Sequence, residues 1–169
     1  KLYFVLSMTG WILAGHTHTF ELCRVTPALS LTFTVDGFGM LFALVASSLW
    51  IVTSIYSIGY MRGLEEHAQT RYFCFFAVAL SATIGVAFAG NLLTLYLFYE
   101  LLSLSTYPLV THHQDKEARG AGRKYLTYLL STSIGLALPA MFYTMILSNG
   151  NLDFSAAGVF PAGVDKATL

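Results

Sequence analysis

The chain has 169 residues, 56% of them hydrophobic and 11% charged, with a formal net charge of +0. A soluble domain normally carries about a quarter charged residues, and a disordered chain would lack this many large apolar side chains. Nucleic-acid binding has no electrostatic footing, because Lys+Arg 9 offsets Asp+Glu 9 and no basic stripe appears. With a mean hydropathy of +0.64, the sequence reads as an integral membrane protein.

In chain order, the apolar run Leu2–Ala14 is too short to span a bilayer by itself, since crossing takes about 20 helical residues. The chain begins at Lys1 inside that run and stops at Leu169 in a loop-like stretch, so we expect a piece of a longer polypeptide. No small-residue cleavage site follows to make the run a signal peptide. Residues 19–35 then read as a small external β-hairpin. Thr19–Val25 is strand-like, Thr26-Pro27 marks a turn, and Leu31, Phe33 and Val35 alternate with Ser30, Thr32 and Thr34.

Three further stretches, Phe38–Tyr60, Tyr72–Ala89 and Tyr125–Leu147, carry no charge, and Leu92–Thr111 carries only Glu100. Helices are the expected form, because an open sheet leaves its backbone unsatisfied in lipid, and a barrel would show short alternating segments instead. The fold class is therefore an all-α membrane protein of about five transmembrane helices, the first truncated, with a small hairpin outside. The single predicted domain, 1–169, has helices near 1–14, 38–60, 72–89, 92–111 and 124–147. Ser148–Gly163, broken by glycine and proline, reads as an external connection.

Lys1, Arg62, Arg71, Lys116, Arg119, Arg123 and Lys124 all fall on one side of this topology, and only Arg24 and Lys166 on the other. The positive-inside asymmetry puts loops 61–71 and 112–124 in the cytoplasm of a multi-pass protein of the inner cell membrane. Cys23 and Cys74 then lie on opposite sides, which argues against a disulfide and supplies no metal motif.

Glu100 is the acid that needs explaining. A carboxylate at mid-membrane costs about 2.5–3.5 kcal/mol even on insertion scales, so it must face protein or water. Tyr96, Ser103 and Tyr107 share its helix face at −4, +3 and +7. Hydroxyls around a buried carboxyl suit a hydrated proton or cation relay, because a buried water needs several polar partners; the alternative is a polar contact holding two helices together. Lys124, Tyr128, Ser131 and Gly135 share a face of the last helix, and Pro139 leaves the Gly135 carbonyl without its N–H partner. That predicts a wet, locally irregular helix, although Lys124 by itself is better read as snorkelling to the surface.

His112 and His113, followed by Asp115, Lys116 and Glu117, are either proton acceptors at the cytoplasmic end or a solvated loop. His16 and His18 form an H-x-H, a weak zinc signal that lacks further ligands. Ala82, Gly85 and Ala89 are helix-packing positions. The sequence has no Gly-rich phosphate loop, no C-x-x-C, no in-span histidine pair for haem and no nucleophile–base pair. No cofactor, metal site or catalytic redox site is therefore expected, and whether the chain is part of an enzyme stays open.

Val35-Asp36-Gly37, the run Tyr56-Ser-Ile-Gly-Tyr-Met61, and Asn91-Leu-Leu-Thr-Leu-Tyr-Leu-Phe-Tyr-Glu100-Leu-Leu-Ser-Leu resemble the antiporter-like membrane subunits shared by NADH–quinone oxidoreductases, membrane-bound hydrogenases and Mrp cation/proton antiporters. The run from Glu100 through Ser105, Thr106, Tyr107 and Pro108 to Val110, with Gly122-Arg-Lys124-Tyr-Leu, looks most like the D-type member among the Mrp subunits. The match extends over most of residues 30–155.

The resemblance implies a longer subunit built on two inverted repeats, of which this chain is the front of the first. Glu100 would be the family's helix-five glutamate, paired with a lysine on the seventh helix that this chain does not contain. Lys124 would be a secondary basic site and Asp36 structural. Opening such a buried Glu–Lys pair shifts the protonation of both partners and passes a proton on. The expected partners are the lipid bilayer, other membrane subunits and H+, with Na+ as a second candidate cation. Two alternatives stand beside this transport role. One is a proton-pumping subunit of an NADH–quinone oxidoreductase or hydrogenase complex, and the other a structural subunit without transport. A quinone-binding redox subunit would need a headgroup pocket and an electron donor, neither visible in the sequence.

Overall fold

The structure, a computed structural model, describes residues 2–26, 29–155 and 158–159. Lys1, Pro27, Lys166 and part of the expected connection 148–163 lie outside them. The order of elements is α1 (Leu2–Leu13), β1 (His18–Thr26), β2 (Leu29–Val35), α2 (Gly37–Gly63), α3 (Gln69–Ala87), α4 (Leu92–Val110), α5 (Lys116–Thr132), a π-turn (Ser133–Ala137) and α6 (Leu138–Leu147).

Among the described residues, four helices are long and apolar enough to cross a membrane: α2, α3, α4 and the continuous 32-residue helix Lys116–Leu147, with α1 a shorter apolar helix. The five predicted helices, the first of them short, are thus all present, beside a two-stranded antiparallel sheet. Their starts follow from local chemistry. Asp36, Asn91 and Asp115 each stand in extended conformation one residue before a helix, and each accepts a hydrogen bond from the backbone N–H three residues on, which satisfies a donor the helix cannot.

Three predicted boundaries move by three residues or more, the first being the end of the second helix, which runs on from Tyr60 to Gly63. The third helix starts at Gln69, three residues before Tyr72, without a side-chain cap; Gln69 Nε2 instead reaches back to the carbonyls of Met61 and Glu66. The last helix starts at Lys116, eight residues before Lys124. The mixed charges of Lys116–Lys124 lie on a helix, not a loop, and the charge-free stretch Tyr125–Leu147 still begins directly after Lys124.

In the hairpin, His18 pairs with Val35, Phe20 with Phe33 and Glu21 with Thr32, with irregularities after Glu21 and after Arg24. It docks where α3 turns into α4. Thr34 N donates to the Phe88 carbonyl at 2.8 Å, and Gly90 N donates to the Thr32 carbonyl at 2.8 Å. The segment after α6 returns to the same end, where Leu92 N meets the Leu152 carbonyl at 2.9 Å. The loops 64–68 and 111–115 form the opposite end. Cys23 in β1 and Cys74 near the start of α3 are both free.

Packing between the spans relies on small residues. Ala82 is fully buried in α3, and a Cβ at Gly85 would run into the Phe98 ring of α4. Ala89, expected to pack beside them, lies past the end of α3 and bridges to Phe33. Near the hairpin, Val5 and Ile12 of α1 pack with Val35, Met40 and Ala43.

Candidate functional site

Helices α4 and α5 run antiparallel from the turn 111–115, and their contacts fall at matched depths. At the loop end, Gly122 lets α5 close onto α4: a Cβ there would collide with Thr111 Cγ2 and come within 2.9 Å of Tyr107 Cε2. Three residues further along α5, Tyr125 Oη lies 2.6 Å from Thr106 Oγ1. The Thr106 hydroxyl already donates to the Ser103 carbonyl at 2.8 Å, so its single hydrogen is committed and Tyr125 is the donor. Six residues up α4 from Thr106, about 9 Å along the axis, Glu100 Oε1 accepts a hydrogen bond from Ser133 Oγ. Ser133 is 3% exposed and Glu100 half-buried.

Ser133 continues the regular phase of α5, its N–H donating to the Leu129 and Leu130 carbonyls, and it opens the π-turn. Pro139 cannot donate a backbone hydrogen bond, so the ladder before it has to loosen. It does so as one widened turn, in which Leu138 N donates to the Ser133 carbonyl five residues back. Such bulges are frequent at functional sites. The predicted irregular helix is therefore present. Its polar contact to Glu100, however, comes from Ser133, off the predicted stripe.

The predicted residues are distributed as follows. Ser103 is buried, and its hydroxyl donates to the Tyr99 carbonyl at 3.1 Å. Tyr96 is half-buried. Tyr107 and Ser131 line one groove of about 700 Å³ between α4 and α5, together with Arg119, Arg123 and Gly135. Lys124 is exposed and Tyr128 is 74% exposed, so neither meets Glu100. Tyr125 and Ser133, the α5-side residues that do meet α4, are ones the helical-face reading passed over.

His112 and His113 join a second cluster at the loop end. His112 is 9% exposed, and its carbonyl accepts from Arg71 Nη2 at 2.6 Å. Glu66 Oε2 stands 3.7 Å from His112 Nε2, 3.9 Å from His67 Nδ1 and 3.8 Å from His113 Nδ1. Burial, then the charges of His67 and Arg71, hold the His112 imidazole below its usual protonation range, against a weaker upward pull from Glu66. Neither Glu66 nor His67 stood out in the sequence, because the cluster joins two loops that are distant along the chain.

Residues 89–166 match the family described as NADH:quinone oxidoreductase/Mrp antiporter, TM. Residues 26–73 match NADH-Ubiquinone oxidoreductase (complex I), chain 5 N-terminus. A Na(+)/H(+) antiporter subunit A1 of Staphylococcus haemolyticus (strain JCSC1435) is 28% identical over 153 residues, covering 89% of this chain and 18% of that protein. The protein of the same name from Staphylococcus aureus (strain bovine RF122 / ET3-1) is 27% identical over 152 residues, covering 84% of this chain and 19% of its own length. The chain thus spans about a fifth of the length of these curated relatives.

Among solved structures, the membrane-bound sulfane sulfur reductase, an archaeal respiratory membrane complex, matches with a TM-score of 0.65 at 19% identity, over 90% of this chain and 23% of that one. The Mrp complex from Dietzia sp. DQ12-45-1b matches with a TM-score of 0.58 at 18% identity, over 89% and 27%. These two likenesses concern the fold. Residues 26–73 and 89–166 of the chain thus carry the two domains of the antiporter-like membrane subunits of the NADH:quinone oxidoreductase and Mrp family, and the antiporter relatives agree.

Proposed function

We propose that the chain is part of a proton-translocating, monovalent cation:proton antiporter subunit in which Glu100 is the ion-binding carboxylate. The observation that carries this reading is the placement of Glu100. It is the one acid away from the helix ends in the described spans, and it is held by Ser133 at a π-turn. A carboxylate kept at that depth by a single hydroxyl is costly as a mere spacer and well suited to exchanging a proton or cation with water.

From Glu100 the path runs along α4 and α5 toward the loop end. Ser103 and Tyr96 flank the carboxylate on its helix, Tyr107 and Ser131 line the groove, and His112 and His113 stand at the mouth. Lys124 and Tyr128, on the outward face of α5, are positioned to meet further helices of a longer subunit. The lysine partner of Glu100 would lie on such a helix. The mouth would face the cytoplasm of a cell-membrane protein, as the clustering of Arg62, Arg71, Lys116, Arg119, Arg123 and Lys124 at that end favours. Of the Mrp subunit types, the run Glu100–Val110 resembles the D type, while the relatives carry the name subunit A1. A second reading, a proton-pumping subunit coupled to a redox complex, has the family description and the fold likeness to the sulfane sulfur reductase in its favour.

The test is cation-driven collapse of a pH gradient in everted membrane vesicles containing the full-length subunit in its complex, with and without Glu100→Gln. The reading requires exchange to be lost while the complex still assembles. Unchanged exchange would reduce Glu100 to a helix-packing contact.

A further inference from the structure

The cluster at the loop end has the composition and spacing of a metal site. We propose that Glu66, His67 and His112, with His113 as the fourth donor, bind a divalent transition-metal cation of the Zn2+ class.

The ligand atoms of Glu66, His67 and His112 all lie within 4.8 Å of one another. The three separations from Glu66 Oε2, 3.7, 3.8 and 3.9 Å, are too long for hydrogen bonds. They lie close to the edge of a coordination tetrahedron, about 3.4 Å for metal–ligand bonds of about 2.0–2.1 Å. A contraction of a few tenths of an ångström would bring the three donors that face Glu66 Oε2 to that edge, while the ligand atoms of Glu66, His67 and His112, within 4.8 Å of one another, close further as the loops draw together.

An independent sign comes from His112. Its side chain is buried, and both ring nitrogens, Nδ1 and Nε2, lack any hydrogen-bond partner. A buried polar atom left without a partner is destabilising, and here Nε2 is directed at the Glu66 carboxylate. A cation between the two relieves both groups. The donor set selects its class: imidazoles with one carboxylate and no thiolate suit Zn2+ and its neighbours, whereas Mg2+ and Ca2+ prefer oxygen throughout. Arg71 stands against the cluster, with its Nη2 donating to the His112 carbonyl at 2.6 Å. Glu66 supplies the compensating negative charge. Bound metal would cross-link loop 64–68 to loop 111–115 and so fix the ends of α3 and α4.

The test titrates the full-length subunit in its complex, purified without a histidine tag, with Zn2+ while bound metal is counted. Co2+ serves as a spectroscopic stand-in whose visible absorption reports tetrahedral nitrogen/oxygen ligation. His67 and His113 are 53% and 63% exposed, so the double variant His67→Gln/His113→Gln keeps the fold and isolates ligation. We expect it to weaken the Zn2+ affinity at least about tenfold, since loss of mere outer-shell partners already does that much, and to abolish the Co2+ signal. His16→Gln/His18→Gln should leave both intact. Binding unchanged in the first variant, lost in the second, or absent from the wild type overturns the proposal.

Discussion

Ser133 donates its hydroxyl hydrogen to Glu100 from the first residue of the π-turn. No other side-chain partner of Glu100 occurs among the described residues. A charge-assisted hydrogen bond of this kind is worth about 1.5–3 kcal/mol. Ser133→Ala should therefore slow cation/proton exchange by about tenfold or more while the complex assembles normally, since 1.4 kcal/mol corresponds to a factor of ten. Ser133→Thr, which keeps the hydroxyl, should retain most of the rate. Initial rates of pH-gradient collapse in everted vesicles separate the three proteins, and equal rates for the alanine variant would remove Ser133 from the path.

Below that contact, Tyr125 donates to Thr106 at 2.6 Å while Thr106 donates onward to the Ser103 carbonyl at 2.8 Å. The two hydroxyls form a directed chain, so removing either donor should matter through the other. A double-mutant cycle of Tyr125→Phe and Thr106→Val, read by thermal unfolding of the full-length subunit, should give a coupling energy of about 0.5–1.5 kcal/mol. Coupling near zero would mean the two side chains are not bonded in the membrane.

How much of this was legible in the sequence follows from the range of each interaction. The spans and the hairpin are local: charge-free runs and strict alternation need no knowledge of neighbours, and both are present in the fold. The irregular last helix was also readable, because Pro139 removes a donor whatever surrounds it. Its start was readable too, from Asp115 as N-cap and Glu117 in the first turn, but the density of charge in Asp115–Lys124 made a loop seem the simpler reading. The partner of Glu100 depends instead on the register at which antiparallel α5 lies against α4, and no periodicity count supplies that. The same holds for Glu66 and His67, which meet His112 only because two loops share one end of the bundle.

Gly122 tests the close approach of α4 and α5 directly. A Cβ there would collide with Thr111 and sit 2.9 Å from the Tyr107 ring. Gly122→Ala would gain helix propensity of about 1 kcal/mol on an exposed helix, yet here overpacking of about 1–3 kcal/mol opposes it. Gly120, where a Cβ would meet nothing within 4 Å, is the internal control. Thermal unfolding should show Gly120→Ala neutral or stabilising and Gly122→Ala destabilising. Equal effects at the two positions would show that the helices do not close as described.

At the opposite end, Asn91 divides its side chain between two tasks. Its Oδ1 accepts from Thr94 N at 2.8 Å and from Thr94 Oγ1 at 2.7 Å, which caps α4, while Nδ2 donates to the Ser30 carbonyl at 2.7 Å, which holds the hairpin. Thr94 Oγ1 in turn accepts from Thr32 N at 2.9 Å. Because Asn91 and Thr94 are both buried, water cannot replace these bonds without opening the contact. Asn91→Asp keeps the capping oxygen and loses the donor, placing a carboxylate oxygen against the Ser30 carbonyl. Asn91→Ala loses both, with a cost of about 2 kcal/mol from the cap and the stranded carbonyl together. Limited proteolysis within the hairpin should therefore accelerate in both variants, whereas thermal stability should fall further in the alanine variant. If proteolysis of the hairpin were unchanged by Asn91→Asp, the Asn91–Ser30 bond would not be what fastens the hairpin to α4.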